Sequence, residues 1–268
     1  MKKNALKTIK LFALFTLMAL IMAGCSNNVS NTPAEQPKAE EKTTLIMGLD
    51  DTFAPMGFRD EKGELAGFDI DLSKEVAARL GVTIEYQPID WSMKETELNA
   101  GNIDFIWNGY TITDERLEKV AFSKPYLENS QIIVALADSQ VVTKADLAGK
   151  SIAVQAESSA LDAINAEPDF VKSVKEIVEF STNNEAFMDL EAGRSDALVV
   201  DEVLARYYMK QNGDEKYKVL EEDFGDEEYG VGLRKDDADL LTKLDAALDG
   251  MKKDGTYDKI YAKWFAEN

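Results

Sequence analysis

Short apolar runs alternate with helix-like segments through the first half of the chain. Residues 45–49, 82–86 and 103–107 are apolar runs of strand length. We interpret residues 69–80 and 92–100 as helices, because apolar residues recur at helical spacing in the first and a glycine directly follows both. The order strand, helix, strand, helix, strand predicts a parallel sheet flanked by helices.

The same order recurs in the second half of the chain. Strands are predicted at 151–154, within 174–180 and at 197–200, and helices at 158–166 and 184–192. The chain is therefore predicted to contain two α/β units of similar construction.

A short repeat marks equivalent points of the two units. The pattern L-x-A-G-x-x-D occurs at Leu98–Asp104 and again at Leu190–Asp196, each time as the end of a helix and the start of a strand. Arg116 follows the first of these strands, and Asp201 directly follows the second. If the two units face each other, the gap between them suits a ligand with both a carboxylate and an ammonium group, such as an amino acid.

Two segments are predicted to connect the units. Residues 131–136 are almost entirely apolar and suit a strand that crosses from one unit to the other. The return is predicted within 222–232, and we interpret residues 229–233 as a strand. An amphipathic helix is predicted over 240–251, and after a break at 255–257 the apolar residues between 260 and 265 indicate a last helix.

The N-terminus has the features of a targeting segment. Several lysines precede an apolar run at 11–22, which is shorter than the roughly 20 residues that a membrane span needs. We therefore predict a signal peptide over 1–24 rather than a short anchor helix. Cys25 stands at the end of this segment and resembles the acylated cysteine of bacterial lipoproteins, which carries a lipid such as palmitate. The alternative is an ordinary cleaved signal with an unmodified thiol.

The segment after Cys25 is polar. Residues 25–44 contain two prolines and no aromatic residue, so they cannot bury enough apolar surface to offset the entropy of ordering. We predict a disordered tether over 25–44. Residues 45–268 are long enough for one large or two small domains.

Composition excludes several classes of function. The net charge of −20 argues against nucleic-acid binding, which needs basic surfaces. The chain has no histidine and one cysteine, which removes histidine-based triads, most transition-metal sites and an intramolecular disulfide. No phosphate-binding glycine loop is present. The acidic runs 221–223 and 226–228 lack the spacing of a calcium loop and are interpreted as a solvated turn. These absences favour binding without chemistry but leave a carboxylate-based enzyme open.

Four segments, taken in order, resemble one known family. They are Gly67–Leu72 (GFDIDL), Asn108–Arg116 (NGYTITDER), Phe122–Tyr126 (FSKPY) and Asp254–Phe265 (DGTYDKIYAKWF). Together they resemble the polar-amino-acid substrate-binding proteins of ABC importers, from about residue 45 to the C-terminus. The resemblance implies an α/β fold of two lobes, each a mixed, mostly parallel sheet flanked by helices, joined by two hinge strands.

Lobe boundaries follow from this resemblance. Lobe 1 is expected to comprise 45–130 and 226–268, and lobe 2 is expected to comprise 131–225.

The resemblance also implies residues that bind the charged head group of the ligand. Arg116 corresponds to the arginine that pairs with the α-carboxylate, because a guanidinium matches the two carboxylate oxygens. Asp201 corresponds to the acid that accepts the α-ammonium. The alternatives are a surface Arg116 paired with neighbouring acids and an Asp201 that only caps the following helix. The other residues expected at the head group are Asn108, Gly109, Thr111, Ser158 and Ser159.

A second set is implied for the ligand side chain. Phe53 and Trp91 correspond to aromatic residues that sandwich the side chain, although Trp91 also suits core packing. Asp50 corresponds to an acid at the distal end, and Glu157 is a further acid expected from lobe 2. Gln155 stands where some glutamine binders have lysine. An acidic rim with an aromatic floor favours cationic, amide or cystine-like side chains, and an acidic ligand would need a second basic residue, which the sequence does not indicate.

The resulting functional hypothesis is a receptor outside the cytoplasm. It is expected to be a monomer that is anchored on the outer face of the cytoplasmic membrane by the lipid on Cys25, binds a polar L-amino acid between its lobes and passes it to the transmembrane subunits of an ABC importer. No cofactor and no metal are expected. The alternative is a dehydratase-type enzyme on the same fold that acts on a cyclic carboxylate, with Asp50 or Glu157 as the acid.

Overall fold

The computed structural model describes residues 42–266. The predicted signal peptide, Cys25 and most of the predicted tether therefore lie outside the described residues. Thr44, the last residue of that predicted tether, is instead the first residue of a strand. Within 42–266, no helix combines the length and apolar character that crossing a membrane requires.

Short strands make up much of the described part of the chain. They are β1 (Thr44–Leu49), β2 (Thr52–Phe53), β3 (Gly57–Arg59), β4 (Leu65–Ala66), β5 (Thr83–Pro88), β6 (Phe105–Ile106), β7 (Ala121–Phe122), β8 (Leu127–Leu136), β9 (Ser151–Gln155), β10 (Glu176–Phe180), β11 (Ala197–Asp201), β12 (Tyr217–Val219), β13 (Asp226–Tyr229) and β14 (Gly232–Leu233).

The α-helices of the same region are interspersed with these strands. They are α1 (Phe68–Leu80), α2 (Lys94–Asn99), α3 (Asp114–Lys119), α4 (Ser159–Asn165), α5 (Pro168–Ser173), α6 (Asn183–Glu191), α7 (Glu202–Asn212), α8 (Ala238–Asp254) and α9 (Thr256–Phe265).

Two larger sheets share one plan. The first has the order β5-β1-β6-β14-β7, and the second contains β10-β9-β11-β8-β12. In each sheet the first three strands in this order are parallel, and the strand that comes earliest in the chain lies in the middle of the three. The fourth strand, β14 or β8, is antiparallel to both of its neighbours in this order. The predicted mixed α/β fold with two lobes is therefore confirmed, although parallel pairing does not predominate, because each sheet has at least as many antiparallel as parallel strand pairings.

The chain passes between the two sheets along a pair of adjacent strands. The first residues of β8 pair with β13 in antiparallel register, while the rest of β8 pairs with β11 and β12. The strand predicted at 229–233 is divided, because Tyr229 ends β13 whereas Gly232 begins β14 in the first sheet. We refer to β8 and β13 as the crossing strands.

The repeated motif has the same structure in both lobes. Gly101 and Gly193 adopt positive φ angles of 79° and 67°, which glycine tolerates without strain, and each ends a helix. Asp104 and Asp196 then accept backbone N–H groups of the neighbouring strand, β1 in one lobe and β9 in the other, at 3.0 and 2.9 Å. The shared spacing of the motif is thus explained by a helix end and a strand junction.

The central strands of the second sheet are covered on both faces. All residues of β9 and β11 are buried, as expected for parallel strands between layers of helices. The side chains along these strands are therefore not accessible to a ligand. Sheets of this type bind ligands at the carboxyl ends of their strands, where the polar residues lie.

Candidate ligand-binding site

The carboxyl ends of two strands from each sheet meet at one place. Asp50 follows β1 and Asn108 follows β6, while Gln155 and Asp201 end β9 and β11. The Gln155 side-chain amide donates to Asp50 Oδ2 at 3.0 Å, which joins the two lobes directly. The sequence-predicted residues from both lobes are therefore brought together.

Arg116 lies inside the protein at this junction. It belongs to α3, whose first turn is capped by the Thr113 hydroxyl, and only 4% of the residue is exposed. Its guanidinium donates to the Thr111 carbonyl at 3.1 Å and stacks over the Tyr110 ring at 4.8 Å. The alternative of a surface arginine paired with its sequence neighbours is therefore wrong.

Lys94 is a second buried cation in the same region, and it was not predicted. Only 2% of Lys94 is exposed, and its Nζ lies 5.3 Å from the centre of the Trp91 ring. Burial, and then the nearby charge of Arg116, lower the pKa of Lys94. The sequence indicated no basic residue besides Arg116 at the site, and the structure corrects this.

Glu157 contributes its backbone rather than its side chain. Its carbonyl oxygen accepts from Lys94 Nζ at 3.0 Å and from Arg116 Nη2 at 3.4 Å. Its φ of 53° is uncommon for a residue with a side chain. Glu157 is an exposed residue, and the part of it that contacts Lys94 and Arg116 is the backbone carbonyl and not the predicted acidic side chain.

The serines that follow lie between the lobes. Ser158 caps α4 through its hydroxyl, which accepts the Leu161 N–H and donates to the Gln155 carbonyl. The Ser159 and Thr111 hydroxyls are 2.9 Å apart and form another contact across the lobes. Both serines are buried, and the Ser159 hydroxyl also accepts from the Gln131 amide at 3.2 Å.

Asp201 forms the centre of the acidic end. Its Oδ1 accepts from the side-chain amides of Asn129 and Gln131, each at 2.9 Å, and from the Tyr229 hydroxyl at 2.6 Å. The start of α7 is capped by Asn129, whose Oδ1 accepts the Val203 N–H, and no cap hydrogen bond comes from the Asp201 side chain. The alternative in which Asp201 only caps this helix is therefore wrong.

Glu227 is a second acid beside Asp201. Its Oε1 accepts from Asn129 at 2.6 Å, Gln131 at 2.9 Å and the Thr111 hydroxyl at 3.1 Å. Burial and then the charge of Glu227 raise the pKa of Asp201 well above its usual value. The solvated turn predicted at 226–228 is wrong, because these residues lie in β13. An open cavity of about 640 Å³ beside the crossing strands is lined in part by Asn129 and Glu227, but its lining includes neither Asp201 nor Arg116.

Gly109 lies against the rings of Phe53 and Tyr229, two residues before Thr111. Its φ is +60°, and a Cβ placed on it would come within 2.8 Å of the Phe53 ring, so only glycine fits. Its N–H donates to Asp69 Oδ2 at 2.8 Å, and the Tyr126 hydroxyl donates to the same oxygen. Burial raises the pKa of Asp69 to about 7.

The residues predicted for the ligand side chain adjoin this region. Trp91 is 7% exposed and meets the Tyr110 ring edge-on, so it packs against the core while bordering Lys94. The Asp50 N–H donates to Asn108 Oδ1, and burial raises the pKa of Asp50. Gln155 also donates to the Ser181 carbonyl and accepts from Asn183, so several partners fix its orientation.

Residues 42–266 hold no cluster of three or more acidic, histidine or cysteine side chains suited to a metal ion.

The sequence pattern of the bacterial extracellular solute-binding proteins, family 3, matches residues 45–267. The chain belongs to this family. Its fold and its buried charges at the lobe junction are consistent with that membership.

Individual relatives share most of the length of the chain. The L-cystine-binding protein TcyJ of Escherichia coli is 32% identical over 256 residues, which cover 94% of each chain. The lysine/arginine/ornithine-binding periplasmic protein of Escherichia coli is 36% identical over 84% of this chain and 88% of its own. The structure resembles that of an ABC uptake transporter substrate-binding protein from Streptococcus pneumoniae with bound histidine, with a TM-score of 0.82, 43% identity and coverage of 84% and 93%.

Several residues of this family member were missed by the sequence interpretation. They are Asp69, Lys94, Asn129, Gln131, Glu227 and Tyr229. One signal was available, because Asn129 and Gln131 are two residues apart and so share a face of a strand. Lys94 and Glu227 carried no local signal, since charged residues surround both in the sequence.

Proposed function

We propose that the protein is an extracytoplasmic receptor that binds a polar L-amino acid between its lobes and delivers it to an ABC importer. One observation carries the proposal. The Thr111 carbonyl accepts from Arg116 while the Thr111 hydroxyl donates to Glu227. A buried cation and a partly buried acid thus contact the same residue, and an α-amino acid has its carboxylate and ammonium on one carbon.

The binding mode follows from these two ends. Arg116 receives the α-carboxylate, because its planar fork can donate to both oxygens. Asp201 receives the α-ammonium, with the Thr111 and Ser159 hydroxyls between them. Asn108 and Gly109 form the wall beside the head group, and binding links groups from both lobes.

The ligand side chain is proposed to lie towards Phe53, Trp91 and the Asp50–Gln155 pair. Asp50 offers acceptor oxygens and Gln155 offers an amide, which suits a cationic, amide or cystine-like side chain. The relatives whose names specify cystine, lysine, arginine or ornithine bind ligands of these classes.

Transport follows from lobe closure. A ligand that contacts both lobes stabilises the arrangement in which the lobes meet, and the permease is proposed to recognise that arrangement. The lipid on Cys25 is proposed to hold the monomeric receptor at the outer face of the cytoplasmic membrane. The protein is proposed to act without catalysis and without a cofactor.

A thermal-shift screen tests the proposal. The full chain carrying Cys25→Ser is unfolded and refolded to remove carried-over ligand, and is then heated with each common L-amino acid and with L-cystine. A ligand at 100 times its dissociation constant should stabilise the fold by about 2.7 kcal/mol. A rise in Tm with one or a few polar amino acids is expected. No response to any amino acid, with a response to cyclic carboxylates, would favour the dehydratase alternative.

A further inference from the structure

Lys94 is unusually placed for a lysine. Lysine side chains are rarely buried unless an opposite charge or a function holds them there. The residue begins α2 in the first lobe, yet its Nζ donates to the Glu157 carbonyl, which precedes α4 in the second lobe. This ammonium therefore lies closer to a neutral group across the lobe junction than to the acid beside it in sequence, Glu95.

Arg116 reaches the same oxygen from a different helix. Lys94 Nζ and Arg116 Nη2 lie 3.0 and 3.4 Å from the Glu157 carbonyl oxygen. Two positive charges of the first lobe therefore converge on one point of the second lobe. Their proximity is unfavourable, and the charge of Arg116 contributes to the lowered pKa of Lys94.

The neighbouring acids only partly offset these charges. Glu95 Oε2 is 3.5 Å from Lys94, and the other oxygen of Glu95 accepts the Tyr110 hydroxyl. Asp162 Oδ2 is 3.9 Å from Arg116, and its side chain is 48% exposed. Both separations exceed the roughly 2.7–2.9 Å of a charge-assisted hydrogen bond.

We propose that Lys94 is a second cation of the carboxylate-binding end, and that it binds the α-carboxylate of the amino acid together with Arg116. This inference rests on the proposed function. An ammonium has three N–H donors, so Lys94 can bind a carboxylate oxygen while it keeps the Glu157 carbonyl. One carboxylate can bridge both cations, because the cations converge on a single point.

A purely mechanical role makes different predictions. If Lys94 only braces the lobes through the Glu157 carbonyl, any donor at this position serves, and its charge is unimportant. If Lys94 binds the carboxylate, its charge matters and the effect depends on the ligand having that carboxylate.

The test compares amino acids with their α-carboxamides, in which the negative charge is removed. L-Arginine, L-lysine, L-glutamine, L-histidine and L-cystine and their amides are titrated by calorimetry into the full chain carrying Cys25→Ser. The variants are Lys94→Met, Lys94→Gln, which retains a neutral donor, and Lys94→Arg, which retains the charge. Lys119→Met is the matched control, because Lys119 is an exposed lysine paired with Glu115 on the helix of Arg116.

Lys94→Met and Lys94→Gln should each weaken binding of the preferred amino acid by about 10- to 100-fold, and should weaken binding of its amide much less. Lys94→Arg should retain most of the affinity, and Lys119→Met should change nothing. Equal losses for acid and amide, or full affinity in Lys94→Gln, would overturn the inference. Failure of the protein that retains Lys94 to bind any amino acid would instead contradict the proposed function.

Discussion

The two charged ends of the site hold like charges together in different ways. At the cationic end, Lys94 and Arg116 donate to one backbone carbonyl of the other lobe. At the acidic end, Asp201 and Glu227 share two amide donors, Asn129 and Gln131, that project from one crossing strand. The hydrogen bonds of the two cations to this carbonyl therefore require the lobes to meet. Asp201 and its two amide donors, in contrast, belong to adjacent strands of one sheet.

This difference indicates what each end contributes to recognition. The amides that position the two acids are neutral and bring no positive charge, so the acidic end is proposed to be preorganised for an ammonium. The cationic end spans the lobes, so a carboxylate bound there connects binding with the meeting of the lobes. A zwitterion offsets the charge repulsion at both ends at once, and ligands lacking either charge should bind weakly.

The largest effect is expected from Arg116→Met, which removes one of the two positive charges of the cationic end but keeps much of the side-chain volume. Affinity for the preferred amino acid should fall about 1,000-fold, because the bound carboxylate loses its bidentate partner. The unfolding free energy measured without amino acid should be unchanged or higher, since a buried like-charge contact is removed. Calorimetric titration and thermal unfolding provide both readouts, and affinity within about threefold of the original would refute the assignment of Arg116.

The two acids of the acidic end, Asp201 and Glu227, should contribute unequally to ligand affinity. Asp201→Asn should weaken binding about 100-fold and Glu227→Gln about 10-fold, because Asp201 is buried whereas Glu227 is partly exposed. Both substitutions keep the shape of the side chain. Titration of the two variants beside the exposed control Asp226→Asn measures the difference, and a larger loss in Glu227→Gln would reverse the proposed roles of the two acids.

A smaller effect is expected at Asp69, a buried carboxyl group that accepts the Gly109 N–H. Its pKa of about 7 lies above the ordinary value of 3.8, so between these values the folded chain binds more protons than the unfolded chain. This group alone therefore makes stability fall as pH rises, by about 1.4 kcal/mol between about pH 5 and pH 6. Asp69→Asn should remove that decrease.

Denaturant unfolding at several pH values tests this expectation. The relevant quantity is the difference in unfolding free energy between the original chain and Asp69→Asn. The exposed Asp169→Asn serves as the control, since its side chain is fully accessible. A difference that does not change with pH would show that Asp69 is ionised in the folded protein throughout this range.

Much of the fold was predictable because its determinants are local. The helix over 69–80 ends at Gly81, which adopts the left-handed conformation, as its sequence position suggested. The order of elements likewise follows from the spacing of apolar residues. The repeated glycines are recognisable because glycine adopts positive φ angles without the strain that other residues incur. Arg116 and Asp201 were noticed through the same repeat, although Asp201 ends β11 whereas Arg116 lies in α3, several residues after β6.

The partners of these residues were decided only by the tertiary structure. Lys94 meets Glu157 across 63 residues, and Thr111 meets Glu227 across 116 residues. An acidic or basic residue in a charged stretch has the same local pattern whether it faces solvent or another lobe. Its burial is set by which elements pack against it, and that packing depends on long-range contacts rather than on the periodicity of the segment. The sequence by itself thus determined the elements and one charge at each end of the site. The second charge at each end, Lys94 or Glu227, was decided by long-range packing: Lys94 by its contact with Glu157 of the other lobe, and Glu227 by the pairing of the crossing strands.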